Sequence, residues 1–533
     1  MKNSLITSFK FFLNRRKINI LKSDYLQDND KTHNFKDIRK LFDIRPKTEY
    51  FLDEQSFNDL DLTSVYKKIN KTYTTAGEAS LYSLLRNIIT DEITLNNRSD
   101  LINFFKTNES ERIKLQLHFF NMGFDNKNSF IEMLETYLNV NKSKYYLYTF
   151  LGKILPLIII LTALFTMNVK FMLVLGALLW INAFINMVET KNIKDTGLIY
   201  LRKLIVISKK INNSNIPELQ KYTTDIDYIL KNIKIIDKGT RVIGLSTTFD
   251  GLFEVISVPF LLEESTYYNL SSQLTDNKDL ILNLYYIIGE IEALISISSY
   301  QSGLKASYTK PKFSKDITLN ISNGIHPLVN NPVSNSIKMD KHGIILTGTN
   351  MSGKSTFLRM LGINIVFAQS FNFVLAKSYE SCFFNVVSSI SPNDDVTTGK
   401  SYYMAEAESL LRIIKATEKP LPIFCAVDEI FRGTNPVERI AASAEILKYI
   451  NSKKVISIVA THDRELADIL KNNYDFFYFS ETVDNNDGLS FDYKLKKGVS
   501  QTKNAIKLLK YIGYPEEIVV KSFERAKHIE GFI

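Results

Sequence analysis

Two glycines, a lysine and a hydroxyl residue in segment 348–356 have the spacing G-x-x-x-x-G-K-[ST]. Glycines at these positions let backbone N–H groups approach phosphate oxygens closely. The Lys354 ammonium would reach the β- and γ-phosphates of a nucleotide, and the Ser355 hydroxyl would ligate Mg²⁺. The residues predicted to bind ATP here are Gly348, Thr349, Asn350, Met351, Ser352, Gly353, Lys354, Ser355 and Thr356.

Two carboxylates and a histidine follow later apolar runs. These residue types suit the same nucleotide chemistry. Asp428 and Glu429 follow the run 422–427, and His462 follows the run 455–459. Asp428 is predicted to hold Mg²⁺, and Glu429 to orient and deprotonate the attacking water. His462 would contact the γ-phosphate or polarise that water. Acids and histidines at strand ends are often only structural, but their order after the phosphate loop favours the catalytic interpretation.

The elements that must position these residues are short apolar runs that alternate with helical stretches. This alternation predicts an α/β P-loop NTPase domain with a parallel sheet, preceded by a mostly α-helical core. The predicted segments are a basic N-terminal segment 1–54, a helical region 55–145, an apolar helical hairpin 147–188, a helical region 189–310 and the ATPase domain 311–533.

The hairpin is predicted from two uncharged runs, 154–169 and 171–188, which only Lys170 separates. At 1.5 Å per residue each run spans roughly 24–27 Å, slightly less than the ~30 Å hydrocarbon core of a bilayer. Lysines flank both outer ends, at Lys142, Lys144, Lys191 and Lys194. The positive-inside rule then predicts a cell-membrane protein with two spans and its ATPase domain in the cytoplasm. A buried helix pair or a soluble coiled arm is the alternative.

Composition narrows the class of protein only slightly. The chain has 533 residues and a formal net charge of +9, which permits contact with nucleic acid or anionic lipid without requiring it. Its two cysteines, Cys382 and Cys425, predict neither a disulfide framework nor a cysteine metal site.

Several segments around the loop resemble the ATPase module of the MutS family. Segment 347–356 resembles its phosphate loop, although Thr349 and Ser352 stand where the family usually has Pro and Gly. Segment 428–434, Asp-Glu-Ile-Phe-Arg-Gly-Thr, resembles its Asp-Glu-Ile-x-Arg-Gly-Thr. Further resemblances are Ala-Thr-His at 460–462, the signature loop at 399–406 and the His-Pro entry at 323–327. The resemblance covers roughly 310–530, with a weaker match at 70–120.

The resemblance implies a homodimer with two ATP sites at its interface. Each site would combine the phosphate loop of one subunit with Ser401 of the other, and ATP would close the dimer that hydrolysis opens. Segment 513–515 resembles the start of the dimerisation element. Compared with the family, the chain is predicted to be a shortened member without the mismatch-recognition domain, because only about 50 residues precede the core-like segment. The apolar hairpin predicts in addition that this member is anchored to the membrane.

Two functions follow from these observations. The first is a dimeric nucleotide switch that acts on DNA, related to mismatch repair, while anchored to the membrane. The alternative is a membrane-bound, ATP-gated structural or signalling protein with no nucleic-acid role. The sequence does not identify the residues that would contact adenine.

Overall fold

The structure is a computed structural model that describes residues 14–27, 31–125, 129–135, 141–194, 197–248, 254–340, 342–349, 352–390, 402–431, 435–484, 488–499 and 505–527. It divides into two compact units. The helical unit comprises residues 1–46, 69–84 and 100–303, and the C-terminal unit comprises 47–68, 85–99 and 304–533.

Helices form nearly all of the regular structure before residue 304. Their bounds are 14–24, Phe35–Ile38, Lys40–Ile44, Glu54–Asp59, Leu62–Ile69, Thr75–Arg86, Glu92–Thr107, Glu109–Met122, Ser129–Glu135, Lys142–Thr149, Leu155–Thr166, Lys170–Lys194, Leu198–Asn212, Gln220–Asn232, Lys234–Thr248, Glu254–Ser257, Leu262–Asp276 and Lys278–Gly303. A π-helix covers Phe150–Ile154, and a 3₁₀ turn covers Pro217–Leu219.

The helix Lys278–Gly303 is the core element of the helical unit, because nearly all of its residues from Ile281 onward are buried. It also carries a fully buried acid, Glu292. This carboxyl accepts a hydrogen bond from the backbone N–H of Tyr73 at 2.5 Å and a second one from the Thr74 hydroxyl. A Cβ added at Gly77 would lie 2.1 Å from its Oε2 atom. The glycine therefore leaves room for the acid beneath the helix Thr75–Arg86.

Among the described residues, three helical stretches are long and apolar enough to cross a membrane: Lys142–Thr166, Lys170–Glu189 and Lys278–Gly303. The third is 83% buried inside the protein, as a core helix is, whereas the first two are only 22% and 11% buried. These two form a hairpin that turns at Met167 in the left-handed conformation. Its exposed apolar side chains are Leu157, Ile158, Leu161, Leu164, Phe165, Met172, Leu173, Val174, Trp180, Ile181, Phe184, Met187 and Val188.

Polar contacts join the two hairpin helices near their base. The side-chain amide of Asn182 is fully buried and donates to the carbonyls of Leu151, at 3.1 Å, and Pro259, at 2.7 Å. Lys144 pairs with Glu189 across the hairpin at 2.6 Å. A polar residue within an apolar helix thus faces protein, whereas the exposed side chains of the hairpin are mostly apolar, with Lys153 and Lys170 among the exceptions.

The C-terminal unit contains mixed sheets. Its strands are β1 (Lys312–Phe313), β2 (Leu319–Gly324), β3 (Asn335–Met339), β4 (Gly343–Thr347), β5 (Ser378–Ser381), β6 (Asn385–Ser389), β7 (Ile423–Asp428), β8 (Val455–Ala460), β9 (Tyr474–Tyr478), β10 (Glu481–Asp484), β11 (Gly488–Phe491) and β12 (Lys496–Lys497). Its later helices are Lys354–Phe371, Tyr402–Ala416, Pro436–Asn451, Glu465–Leu470, Ala505–Ile512 and Glu516–Lys527.

The central sheet of this unit has the strand order β12-β9-β4-β8-β7-β6. Strands β9, β4, β8, β7 and β6 are parallel, and the edge strand β12 is antiparallel to β9. A second sheet, β1-β5-β2-β3, contains both orientations, and β10 and β11 form a hairpin. The predicted helical core followed by an α/β domain is confirmed. The predicted parallel sheet is confirmed for β9, β4, β8, β7 and β6, whereas the edge strand β12 and most of the second sheet pair antiparallel.

The segment 47–68 belongs to the C-terminal unit through a buried acid. Asp59 is 1% exposed, and its Oδ2 atom accepts from the Ser388 hydroxyl at 2.9 Å and from the Ile390 backbone N–H at 3.0 Å. Charge-assisted hydrogen bonds of this kind compensate for burying the carboxylate. They fix the helix Glu54–Asp59 to the end of β6.

The buried carboxyl of Glu292 makes stability depend on pH. Burial raises the pKa of Glu292 to about 7, so the folded protein holds its proton more tightly than the unfolded chain. Its contribution to the free energy of unfolding is full below the ordinary value of 4.5 and is lost as pH rises through 7. We predict that Glu292→Gln, which resembles the neutral acid, gains up to about 3 kcal/mol over wild type between pH 5 and pH 8.

Denaturant unfolding of the detergent-solubilised chain at several pH values measures this difference. The matched control is Glu109→Gln, which changes a side chain that is 54% exposed and should leave the pH dependence as it is. Equal slopes for wild type and Glu292→Gln would contradict the prediction.

Candidate nucleotide site

The loop between β4 and the helix Lys354–Phe371 needs glycine at both ends. Gly348 has φ +139° and Gly353 has φ +105°, which side chains rarely tolerate. A Cβ on Gly348 would also lie 2.7 Å from the carbonyl oxygen of Phe479. Asn350 and Met351, which the sequence assigns to the same site, lie outside the described residues. The described ends of the loop have the backbone that close approach to an anion requires.

Lys354 is only 5% exposed, and its ammonium lies over the loop. Its Nζ atom donates to the carbonyls of Gly348, at 2.7 Å, and Thr349, at 2.8 Å. The hydroxyls of Thr349 and Ser352 are buried without a hydrogen-bond partner among the described residues. Unsatisfied buried hydroxyls are costly. They fit a ligand rich in acceptor oxygens, such as phosphate.

Ser355 and Asp428 supply two neighbouring oxygens beside this loop. The Ser355 hydroxyl donates to Asp428 Oδ2 directly. Mg²⁺ prefers oxygen ligands and keeps several of its waters, so it needs few protein ligands. A hydroxyl and a carboxylate in contact beside a phosphate-binding loop therefore suit Mg²⁺ bound together with a nucleotide.

Glu429 and His462 come together at the ends of β7 and β8, which are neighbours in the sheet. Glu429 Oε1 lies 3.0 Å from His462 Nε2. The backbone N–H of Glu429 donates to the carbonyl of Ala460 at 2.8 Å, which continues the strand pairing past Asp428. Glu429 has φ +66°, an unfavourable conformation for a residue with a side chain. This strain directs its carboxylate away from the path a regular strand would give it.

Seven of the residues predicted from the sequence line one cavity of about 950 Å³: Thr349, Gly353, Lys354, Ser355, Thr356, Asp428 and Glu429. Sequence reasoning missed other lining residues, among them His326, Asn335 and Tyr493. Asn335 holds the Tyr493 segment, since its side chain donates to the Tyr493 carbonyl at 3.0 Å and accepts from the Leu495 N–H at 2.8 Å.

The family model for MutS domain V matches residues 344–530. In this segment the chain is similar to the MutS family. It is 27% identical over 361 residues to the DNA mismatch repair protein MutS of Leptospira interrogans serovar Lai, a match that covers 64% of this chain and 41% of that protein. It is 32% identical over 288 residues to the protein of the same name from Thermosipho melanesiensis, covering 51% and 33%.

A third relative of that name, from Pseudothermotoga lettingae, is 30% identical over 273 residues, covering 49% of this chain and 33% of the relative. The chain therefore spans a third to two fifths of the length of these curated MutS relatives. The predicted resemblance to the MutS family is confirmed over these matched segments. Residues 399–401 of the MutS-like signature loop, including Ser401, lie outside the described residues, as does segment 432–434, whereas residues 402–406 begin the helix Tyr402–Ala416.

The close approach at Gly348 makes it the most sensitive glycine of this MutS-like loop. We predict that Gly348→Ala lowers the free energy of unfolding by about 2–4 kcal/mol, because the change adds both backbone strain and a clash with the Phe479 carbonyl. Gly513→Ala is the matched control, because Gly513 has φ +94° but open space around a Cβ. It should lose only about 1 kcal/mol. Denaturant titration measures both, and equal losses would refute the steric explanation.

Proposed function

We propose that this chain is a Mg²⁺-dependent ATPase that hydrolyses ATP to ADP and phosphate. One observation carries the proposal: Lys354, Ser355, Asp428 and Glu429 line a single cavity, and His462 contacts Glu429. Phosphoryl transfer needs positioning and charge stabilisation more than covalent chemistry, and these residue types provide both.

Each residue has a role that its position supports. Lys354 and the loop amides bind the phosphates, and the hydroxyls of Thr349 and Ser352 find acceptors in them. Ser355 and Asp428 would hold Mg²⁺, which when bound neutralises phosphate charge. Glu429 takes a proton from the attacking water. The water oxygen bonds to the γ-phosphorus as the bond between that phosphorus and the leaving oxygen of ADP breaks. His462, 3.0 Å from Glu429, orients that carboxylate.

We infer that the protein works as a homodimer in which ATP closes the subunits together. Similarity to the MutS family supports this, with Ser401 of one copy reaching the γ-phosphate bound by the other. The last helices, Ala505–Ile512 and Glu516–Lys527, and the turn between them also carry exposed apolar side chains, Tyr511, Ile512, Tyr514, Ile518 and Val520. A second copy would cover them.

We propose further that the switch acts on DNA, in a role related to mismatch repair. The matched relatives are named DNA mismatch repair protein MutS, and the net charge of +9 suits a polyanionic partner. The rival function is an ATP-gated structural or signalling role at the membrane without nucleic acid.

The hairpin supports a cell-membrane location with the ATPase domain in the cytoplasm. The stretch Lys142–Thr166 has 25 residues and Lys170–Glu189 has 20. They are about 37 and 30 Å long, which suffices for the ~30 Å hydrocarbon core. Most of their exposed side chains are apolar, with Lys142 and Lys153 among the exceptions, and Asn182 and Glu189 have partners inside the protein. A face of this size is unfavourable in water and favourable in lipid.

Glu429→Gln tests the ATPase proposal. Without a carboxylate to take the proton from water, we predict that turnover falls by about 10²–10⁴-fold while ATP affinity is kept. ATP should then accumulate on a closed dimer, which size-exclusion chromatography with light scattering detects.

Lys354→Ala is the companion variant and should lose nucleotide affinity itself. Wild-type turnover by Glu429→Gln would disprove the general-base role. Nucleotide affinity that is equal in wild type and Lys354→Ala would disprove the site.

A variant lacking 147–188 tests the membrane and DNA proposals together. We predict that the full chain sediments with membranes and the variant does not, while both bind duplex DNA at about 50 mM salt and release it as salt rises. Leu173→Lys with Phe165→Lys is a gentler variant, because both side chains are strongly exposed and need no repacking.

Membrane binding by the variant lacking 147–188 would refute the anchor. If neither the full chain nor the variant binds DNA, the rival function is favoured.

A further inference from the structure

A bidentate ion pair lies beside the proposed catalytic residues, outside the roles assigned so far. Arg439 Nε donates to Asp463 Oδ2 at 3.0 Å, and Arg439 Nη2 donates to Asp463 Oδ1 at 2.5 Å. The two side chains are only 21% and 13% exposed. A half-buried, two-point guanidinium–carboxylate pair is geometrically specific, unlike an ordinary surface pair.

The pair joins the segments that follow two neighbouring strands. Arg439 lies in the first turns of the helix Pro436–Asn451, which follows β7, and the Asn435 side chain caps that helix by accepting from the Val437 N–H at 2.9 Å. Asp463 follows β8 and is adjacent in sequence to His462. The Asp463 N–H in turn donates to the Thr461 hydroxyl at 3.1 Å.

The groups between these anchors need such restraint. Glu429 and Phe431 both have positive φ, +66° and +57°, so the segment after β7 is strained. The His462 side chain is 43% exposed, so packing alone does not fix its ring. The hydrogen bonds with Asp463 raise the pKa of Arg439 above its ordinary value, and the charge of Glu429 adds to this effect. A permanent cation therefore lies within electrostatic range of the proposed general base.

We propose that Arg439 and Asp463 are positioning residues that hold the His462 segment against Glu429, so that both face the attacking water. The inference rests on the proposed ATPase function and deepens it. The helix Pro436–Asn451 becomes the support that aligns the ends of β7 and β8. Alignment of this kind acts on the chemical step and leaves nucleotide binding alone, because neither residue lines the cavity.

The test compares Arg439→Asp, Asp463→Arg and the exchange variant that carries both changes, in the full-length protein. We expect each single variant to lower kcat by about tenfold or more, with the affinity for ATP and Mg²⁺ within about twofold of wild type. The exchange variant restores the opposite charges and should recover to within about threefold of the wild-type kcat. Because a purely structural loss would change affinity and thermal midpoint as well, both are measured alongside kcat.

Lys448→Ala is the matched control. Lys448 pairs with Glu445 at 2.7 Å on the exposed face of the same helix, so its loss should leave kcat unchanged. Single variants with wild-type kcat would overturn the proposal, as would an exchange variant no faster than the single ones. These outcomes leave the ATPase function standing if wild type hydrolyses ATP and Lys354→Ala does not.

Discussion

The register of three neighbouring parallel strands determines where every proposed catalytic group lies. Leu346 of β4 is level with Ala460 of β8, and Ala460 is level with Asp428 of β7. Backbone hydrogen bonds continue this pairing beyond the strands, from the Thr461 N–H to the Leu346 carbonyl and from the Glu429 N–H to the Ala460 carbonyl. Three segments far apart in sequence therefore end at one level. A slip of one residue would turn each side chain to the opposite face.

The apolar runs at 343–346, 423–427 and 455–459 predicted the central strands because fully buried parallel strands have few other sequence patterns. Knowing where the second and third runs end locates Asp428, Glu429 and His462 at the strand ends. The orientation of β12 was not predictable, since it depends on a pairing of Lys496 with Tyr478 that two residues of sequence do not encode. The ion pair of Arg439 and Asp463 was not predictable either, because only the fold brings residues 24 positions apart into contact.

The apolar pattern of the hairpin is clear in the sequence, but the role of Asn182 within it is not. Asn182 interrupts an apolar run, so hydropathy alone weakens the prediction of a membrane helix. In the structure its amide satisfies carbonyls of Leu151 and Pro259. The Leu151 carbonyl belongs to the π-helix Phe150–Ile154, where irregular backbone pairing frees such groups for other donors. Tertiary pairing of this kind has no signature in the sequence.

The hydrogen bonds of Lys354 to the Gly348 and Thr349 carbonyls have a consequence for any anion that enters the loop. The two carbonyl dipoles already neutralise part of the ammonium charge, so an incoming phosphate competes with these carbonyls for the ammonium. Coulomb attraction to the ammonium grows with the charge of the anion, so a polyphosphate would compete with those carbonyls better than a singly charged anion would.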